Sequence, residues 1–185
     1  MSKGVFLGAV IGGTVMFLWG AISHMLLPSC GLGMKALPEE DRILAVLKSS
    51  IPEPGVYVFP WDEPRTDMEH TETPALVDGP NGLLVYRPHG SWDVGARQPI
   101  VELLADIGCA LVAGAALFAS RSRLPSYARR AAFVAVLGLL PWLAITVSNW
   151  NWYHFPTPYL LADLVDQVVG FALTGLVLAA TVKES

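Results

Sequence analysis

Ile100-Val-Glu-Leu-Leu-Ala-Asp-Ile-Gly-Cys-Ala-Leu-Val-Ala-Gly-Ala-Ala-Leu-Phe-Ala-Ser120 is the stretch on which the fold turns. At 1.5 Å per residue a helix of this length crosses a hydrocarbon core about 30 Å thick. Its charges, Glu102 and Asp106, lie in the opening turns, and everything after them is uncharged. Residues 5–27, 131–149 and 159–182 are runs of the same kind, and the last opens with a second acidic pair, Asp163 and Asp166. The composition agrees: 53% of residues are hydrophobic and 15% charged, with a mean hydropathy of +0.48, whereas soluble domains average about 25% charged. The expected fold is an all-α membrane bundle of four transmembrane helices (1–27, 100–120, 131–149 and 159–182). A small α+β extracytoplasmic insertion, residues 28–99, is expected between helices 1 and 2.

Arginines set the expected orientation. The connection 120–130 carries Arg121, Arg123, Arg129 and Arg130 with no acid, and Lys3 and Lys183 flank the termini on the same side. The positive-inside bias makes that side cytoplasmic, both termini included. Residues 28–99 then face outward with six Lys/Arg against eleven Asp/Glu, a net of −5, which argues against nucleic acid as a partner. Cys30 falls just beyond the first helix, and Cys109 lies about 15 Å below the start of the second at 1.5 Å per residue. No disulfide is expected across that gap, and there is no Cys-x-x-Cys pair for thiol redox chemistry. The N-terminus has some features of a bacterial lipoprotein signal ending at Cys30. Pro28 fits such a signal badly and the apolar run exceeds its usual 7 to 15 residues, so a retained anchor helix is expected.

The first helix carries Gly4, Gly8, Gly12, Gly13 and Gly20. Gly13, Gly20 and His24 fall within about 40° on a helical wheel, a small-residue packing stripe that leads to a polar residue. In the insertion, Pro38-Glu-Glu-Asp41 reads as a helix start. Gly55-Val-Tyr-Val-Phe59 and Gly82-Leu-Leu-Val-Tyr86 read as strands that pair, completing a small cap over the bundle. Asp67, Glu69, His70 and Glu72 are ligand types for a divalent cation, but at this spacing a solvated loop is the preferred reading. Pro141 is expected to kink the third helix. Trp150, Trp152, Tyr153 and Tyr159 suit a membrane interface.

Charged groups within membrane spans are costly and mark functional sites by default. Glu102 and Asp106 are spaced i, i+4 and Asp163 and Asp166 i, i+3, so each pair occupies one helix face. All four, with His24, are expected at one level in the outer leaflet, with Ser148 and Asn149 ending the third helix there. These five residues are the candidate site for a proton or a divalent metal. The competing explanation is structural, because acids in a first turn stabilise a helix by about 0.3–1 kcal/mol each, and Arg87 and Arg97 offer pairing. The Glu-x-x-His pattern of di-iron bundles is missing. Catalysis would fall to His154 or His24 as base, but no nucleophile is evident.

Phe17-Leu-Trp-Gly-Ala-Ile-Ser-His-Met-Leu-Leu-Pro28 and Gly79-Pro-Asn-Gly-Leu-Leu-Val-Tyr-Arg-Pro88 resemble an uncharacterised family of bacterial four-helix inner-membrane proteins. That resemblance implies a multi-pass protein of the bacterial cytoplasmic membrane and no activity. Three roles remain open. The first is a non-catalytic accessory or assembly subunit, contacting lipid and either other membrane subunits or further copies of itself. The second is a proton or cation site, and the third an enzyme acting at the outer face.

Overall fold

The computed structural model describes residues 3–27, 31–61, 78–90 and 95–183, in two units: residues 1–34 with 93–185, and residues 35–92. In chain order the elements are Lys3–Leu26 (α1), Glu40–Ser50 (α2), Gly55–Phe59 (β1), Gly82–Tyr86 (β2), Arg97–Ser120 (α3), Tyr127–Tyr153 (α4) and Thr157–Thr181 (α5). A 3-10 turn, Arg121–Arg123, follows α3. Among the described residues α1, α3, α4 and α5 are long and apolar enough to cross a membrane. At most 28% of the apolar window of any of them is buried, and Val112, Leu140, Ile145 and Leu161 face outward. Hydrocarbon suits such faces; a monomer in water rarely exposes apolar patches above a few hundred Å².

The helices outrun the apolar stretches that announce them. A hydropathy run ends at the first polar residues, but backbone hydrogen bonding continues until something stops it. The third helix starts at Tyr127 because the Ser126 hydroxyl accepts from Arg129 N at 3.2 Å, capping it. It runs on to Tyr153, where His154 turns left-handed at φ 55°. Trp150, Trp152 and Tyr153 therefore lie on the last turns of α4 and not in the connecting loop.

In the first unit α1 packs between α3 and α5, and α5 packs on α4; α3 meets α4 through Tyr127–Leu137. Small residues permit this closeness. A Cβ on Gly13 would lie 2.6 Å from Ile107 N, and one on Gly175 would lie 2.7 Å from the Ala131 carbonyl oxygen. Thr174 Oγ1 donates to the Gly12 carbonyl at 3.1 Å, satisfying the fully buried hydroxyl. Val5, Leu117, Val134, Leu178 and Val182 form a closed core at the end of the bundle that carries the Arg121–Arg130 connection. The opposite end is less tightly closed.

Pro141 does alter α4. Lacking an N–H, it cannot bond to the preceding turn, and Trp142–Thr146 wind as a π turn in which Val147 N donates to the Trp142 carbonyl. In the second unit β1 and β2 pair antiparallel over the expected bounds, Gly55 opposite Tyr86 and Phe59 opposite Gly82. The helix there begins at Glu40, one residue after Glu39 takes a left-handed φ of 48°.

Candidate functional site

At the end of the bundle away from the arginine-rich connection, α1, α3 and α5 line an open-sided cavity of about 600 Å³. The five residues singled out by sequence, His24, Glu102, Asp106, Asp163 and Asp166, all line it. Each helix brings its polar residues there for the reason read from the wheel. The face that carries Asp106 also carries buried Ala113, and the face of Asp166 carries buried Gly170 and Thr174. Small neighbours bring the helices together lower down, and the acids lie above them toward the starts of α3 and α5.

Exposure divides the set. Glu102 and His24 are exposed at the rim, while Asp106, Asp163 and Asp166 are half-buried. Asp106 stands within Coulombic reach of Glu102 on its own helix and of Asp166 on α5. Among the described residues no Lys or Arg lines the cavity, and Arg97, offered as a partner by its sequence position, is exposed. Asp166 Oδ1 is buried without a hydrogen-bond partner. The His24 ring bonds through Nδ1 to the Gly20 carbonyl at 3.0 Å; a carbonyl only accepts, so Nδ1 carries the proton and Nε2 is the free nitrogen. A smaller cavity of about 290 Å³ adjoins, sharing His24, Asp163 and Asp166 and reaching Tyr159 and buried Ser23.

Apolar and aromatic side chains complete the larger cavity: Met16, Phe17, Trp19, Met25 and Phe171. Trp19 Nε1 donates to the Asp166 backbone carbonyl at 3.1 Å, which fixes the indole in the wall. Gly20, expected to be part of a packing stripe, instead has open space at its Cβ position and forms part of the same wall. Only the Gly13 end of that stripe is a helix contact.

Sequence reasoning missed a residue of α4 that holds one of the acids. Ser148 and Asn149 were expected to bring α4 into the polar layer, yet neither lines a cavity, since α4 continues past them. Thr146, which lines neither cavity itself, is the α4 residue that reaches an acid. Its side chain is buried, 6% exposed, and its hydroxyl donates to Asp163 Oδ2. The signal was Pro141, because a π turn advances the helix by one residue and changes which side chains face α5.

The metal reading gains nothing from this geometry. Among the described residues no group of three or more His, Cys, Asp or Glu is placed to hold a metal ion, so the carboxylates share a cavity without converging on one ion. Asp67, Glu69, His70 and Glu72 lie outside the described residues, as does Cys30; Cys109 is free and exposed. His154 is exposed and lines neither cavity, which separates it from the acids it would need for catalysis. Comparison of the chain with protein-family models, curated proteins and solved structures finds no match.

Proposed function

We propose that this chain is a four-span membrane protein that holds a positively charged ligand, a proton or a larger cation, in the acidic cavity among α1, α3 and α5. One observation carries the reading: four carboxylates from two helices line one cavity with no Lys or Arg beside them among the described residues. Like charges in a partly apolar space repel and are poorly solvated, and only a proton or a cation relieves both costs. The arginine bias of the connection 120–130 supports placing the cavity in the outer half of a bacterial cytoplasmic membrane, both termini inside and residues 28–99 outside.

Thermal unfolding of the purified full chain in mild detergent tests the reading. A ligand that binds the folded state raises the midpoint by mass action. Among Mg²⁺, Mn²⁺, spermidine and long-chain amines, at least one is expected to raise it for wild type and not for the Asp106→Asn/Asp166→Asn double variant. Equal responses in the two proteins, or none in either, together with the same pH dependence of the midpoint in both, would remove the proposal.

A second reading, an accessory subunit that contacts a partner through the insertion, has its own support. None of the described residues of the second unit is buried, and Val56 and Val85 are 63% and 76% exposed. A two-stranded hairpin is marginal alone, so a partner surface would stabilise it. Co-purification of a defined complex from mild detergent, lost on Val56→Asp/Val85→Asp, is the expected result.

A further inference from the structure

We propose that the ligand of the acidic cavity is an amphiphilic amine, an ammonium head on an apolar tail and without a phosphate, that enters from the bilayer. This rests on the cation reading above and narrows it. Size is the first argument: about 600 Å³ is the volume of a site for an organic molecule, within the usual range of roughly 300–1,000 Å³, and far more than one bare ion fills. The missing convergence of ligands agrees.

The lining supplies the second argument, because its chemistry is graded along the helices. Phe171 follows Asp166 by five residues on α5, about 7 Å deeper at 1.5 Å per residue, and Met16 on α1 is its companion near Gly170. The floor is therefore apolar and the carboxylates stand above it. An ammonium group carries N–H donors and no acceptor, which matches the unpartnered Asp166 Oδ1 and the free Nε2 of His24. Trp19, held by its bond to Asp166, offers an indole at the same level, and an indole face attracts a desolvated cation.

Access is the third. Among the described residues α4 contributes no side chain to the cavity, and α3 meets α4 chiefly through Tyr127–Leu137. Beyond Leu137 the flank between α3 and α4 has no comparable contact, and the proposed route of the tail runs from the bilayer through that flank. With no Lys or Arg in the wall, the phosphate of a zwitterionic phospholipid would stand against carboxylates. That selects a head of net positive charge.

The test uses the full chain in phosphatidylcholine nanodiscs containing a few mole per cent of octadecylamine, octadecanol or phosphatidylethanolamine, with spermidine or Mn²⁺ added separately. Retention of the additive is read by native mass spectrometry and the unfolding midpoint by scanning calorimetry. Octadecylamine is expected to be retained and to raise the midpoint, and octadecanol, phosphatidylethanolamine, spermidine and Mn²⁺ to do neither. Asp106→Asn/Asp166→Asn should weaken retention at least about tenfold, or roughly 1.4 kcal/mol. Gly20→Phe, which fills open space, should abolish it without lowering the ligand-free midpoint, since replacing a helical glycine does not weaken the helix. Stabilisation by spermidine or Mn²⁺ without octadecylamine would overturn this inference and leave the cation reading standing. Equal retention of octadecanol or phosphatidylethanolamine would overturn it as well, and no carboxylate-dependent binding of any cation would overturn both.

Discussion

Two side chains define what the acidic cavity asks of its surroundings. Asp166 Oδ1 is buried without a partner, and a buried acceptor left unsatisfied costs about 1–3 kcal/mol. Asp166→Asn removes the charge and the repulsion from Asp106. The ligand-free protein is therefore expected to unfold at a higher temperature in detergent, and a lower midpoint would mean that the carboxylate is already well satisfied. Thr146 is the opposite case, because its hydroxyl is what Asp163 Oδ2 accepts from. Thr146→Val should cost about 1–3 kcal/mol in equilibrium unfolding, whereas Thr146→Ser keeps the donor and should recover most of the loss. The charged members of the site were legible in the sequence, since Asp106 and Asp166 stand out in apolar runs. Thr146 was not, because a threonine in a helix has no such contrast and its direction depends on a π turn.

At the scale of elements, α1 performs two tasks with one residue type. Gly13 lies against the backbone of α3 at Ile107, and Gly20 faces the cavity with open space at its Cβ position. Gly20→Ala is therefore expected to stabilise the protein by up to about 1 kcal/mol through helix propensity alone. Gly13→Ala gains the same propensity but forces two helix backbones apart, so it should be clearly destabilising. Comparing the two midpoints separates packing from propensity; a stabilising Gly13→Ala would show that α1 and α3 are not in close contact. The wheel put both glycines on one stripe correctly. It held no information on which of the two meets a neighbouring helix, which is set by contacts with residues far away in the chain.

For the whole molecule, the arginine bias predicts a topology that is open to direct measurement. Reporter fusions or cysteine labelling should place both termini and the Arg121–Arg130 connection on one side of the membrane and residues 35–61 on the other. Labelling of the connection and the insertion from the same side would reverse the assignment. The sequence by itself determined the number of long apolar helices, the bounds of the paired strands and the candidate acids, because hydropathy, strand propensity and the cost of charge are local properties of the chain. Only the tertiary structure decided that the five candidate residues line one cavity and that Thr146 and Trp19 hold two of the acids. These depend on distances between helices, which small residues such as Gly13 and Gly175 set through contacts with segments far away in the chain.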